Sequence, residues 1–108
     1  MSRPVIVLDE AEAELREAEA WYEAQRHGLG SEFLAAIGEA MDRLDSWPQL
    51  APLITSDASL PTARTVFVNR FPYSIVFIET DESRWVIAFA HQRKRPGYWR
   101  GRRSAGGE

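Results

Sequence analysis

Apolar positions early in the chain fall at Leu8, Ala11, Leu15, Ala18 and Tyr22, spaced by three and four residues. That rhythm predicts one stripe of an amphipathic helix, with Glu10, Glu14, Arg16 and Glu17 on the opposite, solvated face. A short apolar run, Val5 to Leu8, precedes it and suits a first strand ending at Asp9. Asp9 followed three residues later by Glu12 is the acidic, weaker form of a capping box, which predicts the helix start. Gly28 and Gly30 predict its end near Arg26–His27, and Ser31 can cap a second helix. There Phe33, Ile37, Ala40 and Leu44 repeat the same spacing, and Pro48 prevents extension past Trp47. The simplest arrangement is a hairpin of two antiparallel helices joined by a short glycine loop.

Beyond Pro48 the pattern changes. Residues 48–62 hold Pro48, Pro52 and Pro61 with several small polar residues, which predicts a loop laid over the domain. Three runs rich in β-branched and aromatic residues follow: Arg64 to Val68, Tyr73 to Glu79 and Trp85 to His91. Thr80 to Ser83 reads as the loop of a hairpin, and Phe71-Pro72 keeps the preceding connection extended. The order β-α-α-β-β-β predicts an α+β layer fold, with the helical hairpin on one face of a mainly antiparallel sheet. One domain is expected over residues 1–103, followed by a disordered tail at 104–108.

Composition narrows the class. With 44% hydrophobic and 27% charged residues among 108, the chain is an ordinary globular one. It contains no cysteine, which excludes disulfides, thiolate metal sites and cysteine nucleophiles. No apolar run approaches the roughly 20 residues that span a bilayer, and the N-terminus lacks a signal-peptide core. A cytoplasmic location without membrane contact is expected. The net charge of −3 hides a polarity: residues 1–60 carry four Arg against twelve acids, whereas residues 61–108 carry nine Arg or Lys against four acids. The basic half culminates in His91–Arg103, H-Q-R-K-R-P-G-Y-W-R-G-R-R, thirteen residues with six cations, two aromatics and no acid. Cations interleaved with aromatics suit a surface that meets phosphate, nucleic acid or an acidic peptide.

The words A-E-A-W-Y-E (18–23), L-G-S-E-F (29–33), R-F-P-Y-S-I-V-F (70–77) and A-H-Q-R-K-R-P-G-Y-W-R-G-R (90–102) occur in this order. In them the chain resembles the RelE/ParE superfamily of type II toxin–antitoxin toxins, closest to its ParE-like, plasmid-stabilisation branch. The resemblance runs from about Val5 to Arg102, and its specific part is F-P-Y followed by H-x-R-x-x-P-x-Y-W. It implies a small bacterial toxin bound as a hetero-oligomer by an antitoxin, with DNA contacted only indirectly through that antitoxin. Neither metal nor cofactor is expected. RelE-like members cleave mRNA on the ribosome, whereas ParE-like members are described as poisoning DNA gyrase without an accepted catalytic centre.

Metal-free RNA cleavage needs a base for the ribose 2′-hydroxyl, charge stabilisation at phosphorus and a proton for the leaving oxygen. The resemblance places Arg64, His91 and Tyr98 as candidates for that work. Against it, the strands V-F-V and I-V-F-I between them are apolar and lack the lysine cluster of RelE. The ParE-like reading, in which the protein is a binder and not an enzyme, is therefore preferred to the ribonuclease; a non-toxic binding remnant is a third class. Arg93, Arg95, Tyr98 and Arg100 are the expected target contacts, and Trp21, Arg64 and Arg93 the expected antitoxin contacts. Each has a plainer alternative: His91 can be a strand-end hydrogen-bonding residue, and Arg64 can pair with a helix acid. Trp99 can plug the tail onto its own sheet, Tyr73 can be a packing or loop-anchoring residue, and the acids of the first helix can simply face water.

Overall fold

The computed structural model describes residues 4–46, 48, 63–95 and 97–103. Its elements are β1 (Val5–Val7), α1 (Asp9–Gln25), α2 (Leu29–Ser46), β2 (Ala63–Phe67), β3 (Tyr73–Glu79) and β4 (Arg84–His91), then a short 3-10 turn at Arg100–Arg103. The predicted order holds. The loop expected at 48–62 lies outside the described residues except for Pro48, as does the tail at 104–108.

The four strands form one sheet in the order β1-β4-β3-β2. The β2–β3 and β3–β4 pairs are antiparallel, and β1 joins β4 in parallel, Val5 opposite Arg84 and Val7 opposite Val86. Along β3, Tyr73, Ile75 and Phe77 share one face with their β4 partners His91, Phe89 and Val86. The helices cover that face: the Tyr73 ring lies 5.2 Å from Phe33 of α2 and 6.3 Å from Tyr22 of α1. Phe33, Ala40, Leu44, Ile75, Phe77 and Val86 are fully buried there. The predicted stripes of both helices thus form the core, whose apolar burial is the main favourable term for so small a domain.

Three local expectations are overturned at the helix starts. Asp9 does not cap α1: the N-cap is Leu8, with no side-chain cap. Leu8 donates its N–H to Val86 O while its own carbonyl accepts from Glu12 N–H. The strand therefore passes straight into the helix, and Asp9, Glu10 and Glu12 act only as first-turn charges favourable to the helix dipole. Ser31 does not cap α2, which begins two residues earlier at Leu29. Its first amides are taken instead by Glu23 of α1, whose carboxylate accepts from Gly28 N–H (3.0 Å) and Gly30 N–H (2.9 Å). Gly30 does not stop α1 either; it sits inside α2, where a Cβ would stand 3.0 Å from the Glu19 carbonyl. Only Gly28, at φ +89°, supplies the left-handed turn.

The hairpin is held by carboxylates with lowered pKa. Glu23 is lowered chiefly by the Gly28 and Gly30 amides, and Glu32 by hydrogen bonds from Arg26 and Arg70. A carboxylate whose folded pKa is depressed adds stability above its ordinary value of 4.5 and loses it as pH falls through the folded value. Thermal midpoints should therefore stay level from pH 7 to about 5 and drop below it, and E23Q/E32Q should flatten that drop. An unchanged acid profile in the double variant would exclude this linkage.

Candidate functional site

β1 is three residues long, β4 eight. Past Val86 the outer side of β4 therefore has no strand partner among the described residues, and a register shift there leaves Ile87 as an extra residue between the Val76–Ala88 and Phe77–Val86 pairs. Buried backbone groups on such an edge must find partners. Glu14 of α1 accepts from Phe89 N–H at 3.1 Å, and Arg102 of the C-terminal turn donates to Ile87 O at 3.2 Å. Two distant side chains close the open edge.

They also hold each other. The Arg102 guanidinium grips Glu14 through both oxygens at 2.8 and 3.0 Å, and the Tyr98 hydroxyl donates to Glu14 Oε2 at 2.5 Å. One carboxylate thus accepts four hydrogen bonds. The Arg102 guanidinium also lies 5.0 Å over the Tyr98 ring, and Lys94 Nζ 5.4 Å from the same ring. Burial, and then the hydrogen bond to Glu14, push the Tyr98 phenol well above its ordinary range. The Glu14 hydrogen bond likewise raises Arg102, which stays cationic. Trp99 next to Tyr98 is buried in the core, the plugging role weighed for it.

Glu14 was expected on the solvated face and is instead half-buried at the edge of the stripe. It follows Ala11 by three and precedes Ala18 by four, so the stripe's own spacing carried the signal. Nothing local marks Arg102, since a cationic tail has the same composition whether it packs as a turn or lies on the surface.

The other candidates are placed as follows. His91 ends β4 with its ring edge-on to Tyr73 at 5.1 Å, and its Nδ1 accepts from Arg93 N–H at 3.0 Å, closing the turn into the tail. Arg64 is half-buried on β2 opposite Phe77, while His91 stands opposite Tyr73. Four residues along the strands and two strands across put roughly 13 by 10 Å between them. Arg64, His91 and Tyr98 are not assembled around one point, and the Tyr98 hydroxyl is committed to Glu14. Tyr73 is also raised, by burial first, so neither phenol supplies a base near neutrality.

Arg93 and Arg95 are exposed just after β4, Arg100 is exposed at the start of the 3-10 turn, and Trp21 is 59% exposed on α1. A cleft of about 240 Å³ between α1 and the end of β4 is lined by Glu17, Trp21, Tyr73, Phe89, His91 and Lys94, with Glu14 and Ala18 at its α1 side. Among the described residues no cluster of His, Asp or Glu could hold a metal ion, and no helix is long and apolar enough to cross a membrane. The arrangement places an anchored basic segment beside an aromatic-lined cleft.

No family model and no curated protein matches the sequence. Among solved structures, the chain is similar to one described as the chromosomal ParDE TA system from P. aeruginosa, with a TM-score of 0.67 and 17% identity. The match covers 82% of this chain and 95% of that one. Two helices on a four-stranded mixed sheet therefore form the ParE/RelE-like fold that the sequence words implied.

Proposed function

We propose that this chain is the toxin of a type II toxin–antitoxin pair, ParE-like, which acts in the cytoplasm by binding DNA gyrase and is neutralised by a cognate antitoxin. The observation that carries the reading is the basic C-terminal segment, anchored by Glu14 through Tyr98 and Arg102, along which Arg93, Arg95 and Arg100 are exposed, on the fold shared with a ParDE system. Clamping removes the entropy of an otherwise free tail, so its cations meet a target preorganised. The separation of Arg64 from His91, and the engaged Tyr98 hydroxyl, favour binding over RelE-like cleavage of mRNA on the ribosome. The antitoxin would cover Trp21 and the Arg93 turn, and any operator DNA would be read by the antitoxin.

Induction without antitoxin tests this. Filamentation with DNA-damage signalling is expected, whereas immediate translation arrest with cut mRNA would establish the ribonuclease, and unaffected growth a non-toxic remnant. R93E/R95E should weaken toxicity by at least about 100-fold in plating efficiency, because reversing steering charges at a contact removes both attraction and association rate. His91→Ala should leave toxicity within a few fold. The opposite ranking of these two variants would overturn the proposal.

A further inference from the structure

The cleft between α1 and β4 contains chemistry that the clamp leaves unused. Glu17 and Trp21 stand one helical turn apart on α1, so the carboxylate and the indole face are neighbours. Among the described residues Glu17 makes no hydrogen bond or ion pair, in contrast to Glu12, Glu14, Glu23 and Glu32. Trp21 meets Tyr22 edge-on at 5.1 Å and otherwise turns most of its surface to solvent. Opposite them the Tyr73 hydroxyl carries no hydrogen bond among the described residues, and lies within the field of Glu17. An indole face, a carboxylate and a phenol oxygen therefore converge on one volume.

Charge decides the occupant. Of the seven acids of α1 only Glu14 and Glu17 line the cleft; Glu14 is held by Arg102 and Lys94 stands on the β4 side, so the carboxylate offered to a cation is that of Glu17, beside the Trp21 indole. Among side-chain cations a guanidinium fits this set best. It is planar and stacks on an indole, and its fork of donors can reach a carboxylate and a phenol oxygen together; an ammonium is compact and more strongly hydrated.

We propose that the α1–β4 cleft is a receptor for an arginine side chain of a partner protein, seated on Trp21 and paired with Glu17. Under the toxin reading, on which the choice of partner rests, that arginine belongs to the antitoxin segment crossing α1. Its place in an otherwise acidic segment would fix the register, while Arg93 and Arg95 meet the acids on either side.

The test is an NMR titration of the full chain with the capped amino acid N-acetyl-arginine methylamide. Saturable shifts are expected at the Trp21 indole and at Ala18, Phe89 and His91, with a dissociation constant of roughly 1–10 mM for one charge-assisted contact. The citrulline analogue, isosteric but uncharged, should bind about 2–5-fold more weakly, and Glu17→Gln should weaken the arginine derivative to the same extent. Glu17 is on the surface, so the variant keeps its fold. Equal binding of citrulline and arginine derivatives would overturn the proposal, as would preference for N-acetyl-glutamate or N-acetyl-tryptophan amides, or shifts scattered away from the cleft. No antitoxin or target enters this titration. Arginine binding by a chain that proves harmless when expressed would uphold the cleft and sink the toxin reading, and a toxic chain with an indifferent cleft would do the reverse.

Discussion

Glu14→Ala is expected to release the C-terminal turn, lower stability by about 2–3 kcal/mol and abolish toxicity. The carboxylate accepts from Phe89 N–H, Tyr98 and Arg102, so its loss strands a backbone donor, a phenol and a guanidinium together. A fully buried ion pair broken in this way costs about 3–5 kcal/mol. Here the side chains of Glu14 and Arg102 keep 18% and 20% of their exposure, so water recovers part of that cost and the lower range applies. Urea midpoints measure the stability, and trypsin cleavage at Arg100 and Arg102 reports whether the turn is docked. Tyrosine titration gives a readout peculiar to the clamp. The folded Tyr98 phenol holds its proton above the ordinary 10.0, so its contribution is intact below pH 10 and is lost as pH rises further. In E14A that phenol should return to the ordinary range. Glu14→Gln should restore little, because its NH₂ faces donors on one side. Wild-type trypsin resistance and an unshifted Tyr98 in E14A would remove Glu14 from its proposed role.

Phe33→Ala is the larger loss of stability, about 3–5 kcal/mol. Phe33 is wholly buried and sits 5.0, 5.3 and 5.2 Å from the rings of Tyr22, Phe71 and Tyr73, tying both helices to the start of β3. Truncation leaves a cavity among rigid rings that cannot collapse into it, and three edge-on or tilted contacts go with the transferred area. For a domain of this length the melting midpoint should fall by roughly 15–30 °C. Tyr73 would lose its backing, and with it the ring against which His91 packs, so the cleft should loosen before the chain unfolds. Phe67, 56% exposed on β2, is the matched control, and its truncation should change stability by less than about 0.5 kcal/mol. Similar losses at Phe33 and Phe67 would contradict the placement of the core.

Glu14 shows how far a periodic pattern reaches. The stripe Leu8-Ala11-Leu15-Ala18 correctly located the face of α1 that packs, yet a residue at the stripe's border can turn either way. Which way depends on whether another element overhangs it, and here the overhanging turn lies 84 to 88 residues later. Nothing local records that. Glu23 teaches the same lesson at shorter range: capping rules searched the residues flanking α2, while the cap came from the preceding helix. Arg64, His91 and Tyr98 looked like one constellation when strung along a chain. Register put four residues and two strands between the first two.

What the sequence determined by itself was the set of elements that side-chain period and turn chemistry mark: two helices and their buried faces, three meander strands, the hairpin at Thr80–Ser83 and the basic character of the last turn. Side-chain period and turn chemistry are local, and they survive burial because the core is built from them. Only the tertiary structure decided that β1 runs parallel to β4 and stops after three residues. The short β1 leaves an edge of β4 open, and buried polar groups at an open edge must be paired. Glu14, Arg102 and Tyr98 answer that demand, and in doing so they turn a cationic tail into a fixed surface.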